Sequence, residues 1–223
     1  MTEREIFEFL KQKVIKIQQK KDKPVLIAIN GIEGTGKTMF ANNFARFLKK
    51  DMEAIQVSID GFHFNKEKRY KQGRDSALGY YEDSYDELSF VEKVLKASQS
   101  KCSNYTIATH NLVTDEYLDL TPTFILNSTI IITDGAYLFK PNYCNYWDLK
   151  IYLKTNFQTA MQRGIERDKQ SLGGFEATKQ KFIFRYHKAS KIYIEKNKPE
   201  QLANIIIDNT DFNNLKIIKN EKV

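Results

Sequence analysis

The sequence predicts an α/β fold of three layers, with a mostly parallel central sheet and helices packed on both of its faces. Two observations carry this expectation: apolar runs rich in Ile, Val and Leu recur along the chain, and helix-patterned segments separate them. A strand without a polar side belongs in a sheet buried on both faces. Strands that alternate with helices build parallel crossovers, and such sheets collect their ligands at the carboxyl ends of the strands.

The elements follow in order. Within residues 1–22, Ile6, Phe9, Leu10, Val14 and Ile17 recur at helical spacing, so the chain opens on an amphipathic lead-in helix that stops before Pro24. PVLIAIN is the first buried strand, followed by a glycine-rich turn and the helical pattern KTMFANNFARFLKK. AIQVSID is a second strand ending at Asp60, and ELSFVEKVLKAS a later helix. NYTIATHNLVTDEYLDLTP alternates around central turn residues and reads as a small β-hairpin insertion. STIIITD, DLKIYLK and ANIIID supply three more strands, the first ending at Asp134 and the last at Asp208, with helices expected over about 157–169 and 176–196.

At 223 residues, with 41% hydrophobic and 28% charged residues, the chain fits one domain, 1–223, whose core is large enough to need no staple. Cys102 and Cys144 form no CxxC pair, which argues against a zinc site or a disulfide framework. No apolar run reaches the roughly 20 residues of a membrane helix, and the first residues lack a signal peptide's apolar segment, so the expected location is cytoplasmic, with no membrane partner. The formal charge of +7 draws in part on scattered lysines near both ends, among them Lys11, Lys13, Lys216, Lys219 and Lys222. No aromatic RNA-binding motif or basic amphipathic patch accompanies that charge, so nucleic acid is not the expected partner. Homo-oligomerisation is left open.

The chemistry centres on residues 31–38, GIEGTGKT, which satisfy GxxxxGK[ST] between a strand and a helix. Gly31, Gly34 and Gly36 let the backbone of Ile32, Glu33 and Thr35 turn its N–H groups around phosphate oxygens, and the helix from Lys37, Thr38 and Met39 adds its positive end. Lys37 is expected on the β- and γ-phosphates and the Thr38 hydroxyl on Mg²⁺. Asp60, in SIDGFHF, can accept a proton from an attacking hydroxyl or hold Mg²⁺ through water. Arg163 and Arg167, four residues apart, share a helix face from which they can neutralise phosphoryl charge. Gly173 and Gly174 lie just beyond, and a helical lid is expected at about 163–176.

These motifs resemble the uridine kinase and phosphoribulokinase family of P-loop kinases. Asp60-Gly61-Phe62-His63 looks like the family's D-x-F-[YH], which implies that Asp60 is the base for the acceptor hydroxyl and that His63 lines the acceptor pocket. YTIATH is similar to the YDFVTH segment of uridine kinases, so Tyr105 and His110 are expected at a nucleoside base; Thr106 and Leu112 stand where that family has Asp and Arg. Asp83 resembles an acid that holds the ribose. Asp134 stands at the usual Glu of a strand that ends in EG, where it would hold a Mg²⁺-bound water. MQRGIERD is similar to the R-x3-RD lid, and Arg185-Tyr186 to a QY of the acceptor site. The resemblance runs from about Pro24 to Phe212. It implies a P-loop NTPase fold, ATP and Mg²⁺ as cofactors, and an ATP-dependent phosphotransferase acting on a small-molecule alcohol, a nucleoside 5′-hydroxyl first. A pantothenate, sugar or sugar phosphate kinase remains an alternative, as does, from another class, a nucleotide switch or RNA-binding ATPase.

Overall fold

The computed structural model describes residues 1–221; Lys222, one of the terminal lysines counted above, lies outside the described residues. The first helix, α1 (Glu3–Gln18), starts at a capping box in which Thr2 and Glu5 satisfy each other's backbone donors. It buries Ile6, Phe7, Leu10, Val14 and Ile17. Phe7 takes the buried place expected for Phe9, which is half-buried.

The strand β1 (Val25–Asn30) is buried throughout and feeds through the phosphate-loop turn into α2 (Lys37–Leu48). Next, β2 (Ala54–Ser58) ends two residues earlier than predicted, so Asp60 lies on a 3₁₀ turn, Ile59–Phe62, rather than on the strand. Ser58 caps this turn by accepting from the Asp60 N–H. Three short helices follow, α3 (Lys66–Arg69), α4 (Ala77–Asp83) and α5 (Glu87–Phe90), and α5 continues through a π-helical stretch, Val91–Lys96.

The predicted hairpin is two separate two-residue ladders. β3 (Asn104–Tyr105) pairs with β6 (Thr123–Phe124), and between them β4 (His110–Asn111) pairs with β5 (Glu116–Tyr117). β7 (Ile130–Gly135), a short α6 (Pro141–Cys144), β8 (Leu149–Lys154), α7 (Phe157–Asp168) and α8 (Phe175–Lys181) come next. A π-helical stretch, Phe182–Tyr186, joins α8 to α9 (His187–Asn197); α10 (Pro199–Leu202), β9 (Ile205–Asp208) and β10 (Lys216–Asn220) close the chain.

The sheet order is β10-β9-β8-β1-β7-β2, parallel except for β10, which pairs antiparallel with β9. Alternate residues of β1 serve opposite cores. Val25, Ile27 and Ile29 pack with α1 and α2, whereas Leu26 and Ala28 face a second cluster with Phe62, Phe90, Tyr137 and Tyr193. Because β1, β7 and β2 are neighbours, their carboxyl ends bring the phosphate loop, Asp134 and the Asp60 turn to one edge.

Candidate active site

Between β1 and α2 the backbone passes Gly34 at φ +85° and Gly36 at φ +94°, a left-handed conformation that only glycine adopts freely. A Cβ on Gly34 would also stand 2.0 Å from the Ala160 carbonyl oxygen, so α7 packs directly on the loop. Lys37 is buried, with its Nζ donating to the Ile32 carbonyl at 2.9 Å. Asn209 Nδ2 donates to the Thr35 carbonyl at 2.7 Å and ties the segment after β9 to the loop. Glu33, Gly34, Gly36, Lys37, Thr38 and Met39 line a cavity of about 710 Å³ that Asp60, Asp134, Arg163, Arg167 and Phe212 also border.

Asp134 is 1% exposed and accepts from the Thr38 hydroxyl at 2.6 Å, from Gln56 Nε2, and from Ser58 Oγ at 3.4 Å. Burial pushes its carboxyl above the ordinary value, opposed by the Thr38 and Gln56 hydrogen bonds, which favour the charged form. Asp60 is exposed by contrast, and its carboxylate accepts from Tyr85 at 3.1 Å. His63 packs at a tilt of 45° against Tyr85 with ring centroids 4.4 Å apart, and its Nδ1 lies 2.8 Å from the Asp60 carbonyl. A carbonyl can only accept, so Nδ1 carries the proton and Nε2 is left as an acceptor. Burial lowers the His63 pKa, which keeps the ring neutral at pH 7.

The two arginines differ. Arg163 donates to the carbonyls of Asn209 and Thr210, both at 2.8 Å, and stacks 3.5 Å from the centre of the Phe212 ring. It borders the cavity from the side of the segment after β9. Arg167 is bound side-on to Asp168 at 2.7 and 2.8 Å and faces the cavity. The expected lid, 163–176, comprises the distal half of α7, a turn through Gly173 and Gly174, and the start of α8.

None of the five residues expected at the acceptor, His63, Asp83, Tyr105, His110 and Arg185, is among those that line the cavity, and Gly31, Ile32 and Thr35 of the loop are not either. Asp83 accepts from Gln72 at 2.9 Å. Tyr105 sits in the β3–β6 ladder. The His110 side chain is fully enclosed between Tyr117 and Asp115, with Nε2 3.3 Å from Asp115 Oδ1 in poor alignment, so both ring nitrogens lack hydrogen-bond partners. Arg185 is 5% exposed and packs among Tyr70, Tyr80 and Tyr186. His187 at the start of α9 is buried, with Nε2 3.2 Å from the Glu33 carbonyl.

Sequence reasoning missed Gln56, Ser58, Tyr85, Tyr80 and Phe212. Gln56 and Ser58 alternate in AIQVS on one face of β2, and that period-2 polarity was a usable signal for a polar partner on β7. Tyr80 donates to Glu33 Oε1 at 3.1 Å, and this contact joins α4 to the phosphate loop across 47 residues of sequence, a distance no local pattern spans.

Thr38 and Asp134 offer hard oxygen donors side by side, which suits Mg²⁺, an ion that keeps most of its shell from water and substrate phosphates. Among the described residues no group of three or more His, Cys, Asp or Glu side chains forms a closed metal cage, and Mg²⁺ bound with a nucleotide requires none. No described helix is long and apolar enough to cross a membrane.

Residues 26–216 match the model of the phosphoribulokinase/uridine kinase family. A uridine kinase of Ureaplasma parvum is 27% identical over 146 residues, which are 65% of this chain and 69% of that enzyme. A uridine kinase of Lactobacillus helveticus is 27% identical over 164 residues, 69% of this chain and 72% of the relative. Among solved structures, a protein described as a possible uridine kinase from Bacillus stearothermophilus superposes with a TM-score of 0.65 at 19% identity, covering 88% of this chain and 98% of that one.

Proposed function

Because the chain belongs to the phosphoribulokinase/uridine kinase family of ATP-dependent kinases, we propose that it moves the γ-phosphoryl group of ATP to the hydroxyl of a small alcohol held against Asp60. The observation that carries this reading is the meeting, in one cavity, of a glycine-turned phosphate loop, the Thr38–Asp134 pair and the exposed Asp60 carboxylate.

In the proposed step the acceptor oxygen attacks the γ-phosphorus as its proton passes to Asp60. The bond from that phosphorus to the β,γ-bridging oxygen breaks in line, and ADP leaves. Lys37 turns from the Ile32 carbonyl to the phosphate oxygens, and Arg167 offsets their charge. Arg163 and Phe212, held to the Asn209–Thr210 carbonyls, would shape the end of the cavity that receives the nucleotide's base. Thr38 and, through water, Asp134 would hold Mg²⁺, which would supply charge neutralisation to the phosphates.

The names of the relatives favour a nucleoside as acceptor, and the resemblance of YTIATH would put Tyr105 and His110 at its base and the 5′-hydroxyl at the phosphoryl group. The enclosure of His110 against Asp115 favours a second reading within the same family, a different small alcohol. ³¹P NMR of the full chain with ATP, Mg²⁺ and a set of alcohols tests the shared reaction. The expected result is ADP and a phosphomonoester in equal amounts, formed only when an accepted alcohol is present. Inorganic phosphate released at one rate with and without alcohols would replace this reading with an ATPase or nucleotide switch.

A further inference from the structure

The carboxylate of Asp60 is exposed at the cavity, yet one of its two oxygens is already engaged. Oδ1 accepts from the Tyr85 hydroxyl at 3.1 Å, the only hydrogen bond to that carboxylate among the described residues. Oδ2 has no partner there. A carboxylate on an exposed turn rotates freely about its side-chain bonds, and one fixed donor is enough to choose which oxygen faces the cavity.

Tyr85 is such a donor. It is 3% exposed, and burial, followed by the charge of Asp60, pushes its phenol well above the ordinary value of 10, so the proton stays on its oxygen. Its backbone is tied to the turn that carries Asp60. The Phe64 N–H donates to the Ser84 carbonyl at 3.0 Å, the Asp86 N–H donates to the Phe62 carbonyl at 2.7 Å, and His63 and Tyr85 form an antiparallel bridge between these bonds. The Tyr85 ring packs against His63 on that bridge and meets Tyr137 edge-on, with ring centres 6.3 Å apart. Two segments 25 residues apart in sequence are thus clamped with the hydroxyl aimed at one carboxylate oxygen. Packing alone does not demand this contact, since the Tyr137 and Tyr143 hydroxyls of the same aromatic cluster are buried without any hydrogen-bond partner.

We propose that Tyr85 is a positioning residue for the phosphoryl transfer: its hydroxyl holds Asp60 Oδ1 so that Oδ2 faces the acceptor and takes the proton. The proposal rests on the kinase reading above and adds to it the group that aims the base. As the acceptor oxygen bonds to phosphorus, its O–H bond breaks, the electron pair of that bond stays on the oxygen, and the proton passes to Oδ2. From there it leaves to water once the products have gone. Tyr85 is not among the residues that line the cavity, so it acts through Asp60 alone. A misplacement of about 1 Å can cost about a hundredfold in rate, so loss of the orienting bond belongs in kcat.

The test measures kcat and KM for phosphomonoester formation by the full chain from ³²P-labelled ATP with Mg²⁺, a signal that follows rates several orders of magnitude below that of the wild type. Uridine, D-ribose and D-glycerate are offered as acceptors, and the fastest of them is carried through Tyr85→Phe, Asp60→Asn and the double variant. Tyr85→Phe removes one oxygen and keeps the ring. It is expected to lower kcat about tenfold or more, with KM for ATP and for the alcohol changed less than twofold. In the Asp60→Asn background the same substitution should change kcat less than twofold, because the base it aims is gone. Equal losses in the two backgrounds would mean that Tyr85 only supports the fold, and they overturn the proposal. So does a kcat that Tyr85→Phe leaves intact, or a loss confined to KM. Failure of the kinase reading looks different: ADP release by the wild type is then equal with and without every alcohol, and both conclusions fall together.

Discussion

Asp60 stands exposed at the cavity with only the Tyr85 hydroxyl on its carboxylate, so its replacement disturbs little packing and tests chemistry directly. Asp60→Asn should lower kcat by about 10²–10⁴, the range of a general base, while a fluorescent ATP analogue binds within a few-fold of wild type. An enzyme that keeps its kcat would remove Asp60 from that role. His63 and His187 carry a pH dependence. Burial depresses both below the ordinary value of 6.5, so below that pH the unfolded chain takes up protons that the folded chain refuses. Their contribution to stability is complete above pH 6.5 and is lost as pH falls towards the depressed folded values. The melting temperature should drop between pH 7 and 5, and His63→Gln should flatten that slope; a variant with an unchanged slope would contradict it. At this scale the sequence revealed which side chains matter more readily than where they point. GIEGTGKT and SIDGFHF place Thr38, Lys37 and Asp60 at the cavity, and the orientation of Arg163 beside them depends on carbonyls 46 and 47 residues away, which no local pattern announces.

Gly164 shows how an element's packing outweighs its local preference. It sits within α7, where alanine would favour the helix by about 1 kcal/mol, but a Cβ there would lie 2.0 Å from the Phe182 ring. The collision should win, so Gly164→Ala is expected to destabilise the protein by about 1–3 kcal/mol in urea unfolding; stabilisation would mean that α7 and the Phe182 segment are not held together. The same contrast between local and distant causes decides what was legible in the sequence. The runs VLIAIN and IIITDG read as strands because each is buried on both faces, and the structure places both in the middle of the sheet. LKIIKN did not, since β10 is an edge strand with a half-exposed face and lysines at Lys216 and Lys219, which are the marks of a solvated tail as much as of a strand. In α4 the stretch ALGYYED has only Gly79 and Tyr81 buried, too few for a helical period to register. The π-helical stretches within ELSFVEKVLKAS and FIFRY left helical periodicity readable while shifting its phase.

For the molecule as a whole, the lead-in helix is part of the core. It supplies Ile6, Phe7, Leu10, Val14 and Ile17 to the cluster beneath β1 and α2. Burial of such side chains contributes about 1.5–3 kcal/mol each, which together is comparable to the roughly 5–15 kcal/mol that separates a folded domain from its unfolded chain. Deletion of residues 1–22 should therefore give insoluble or unfolded protein by circular dichroism, and a soluble, cooperatively melting product would show that the helix is dispensable. The sheet order delivers three consecutive strands, β1, β7 and β2, to one edge, where the proposed reaction passes phosphate to an alcohol. The most direct measurement is the rate of ADP release at saturating ATP·Mg²⁺ as each alcohol in a neutral and anionic panel is added. An accepted alcohol should raise the rate by about 100-fold or more over the alcohol-free rate, since Asp60 has no other hydroxyl but water to serve. A rate that is the same with every alcohol as with none would contradict it.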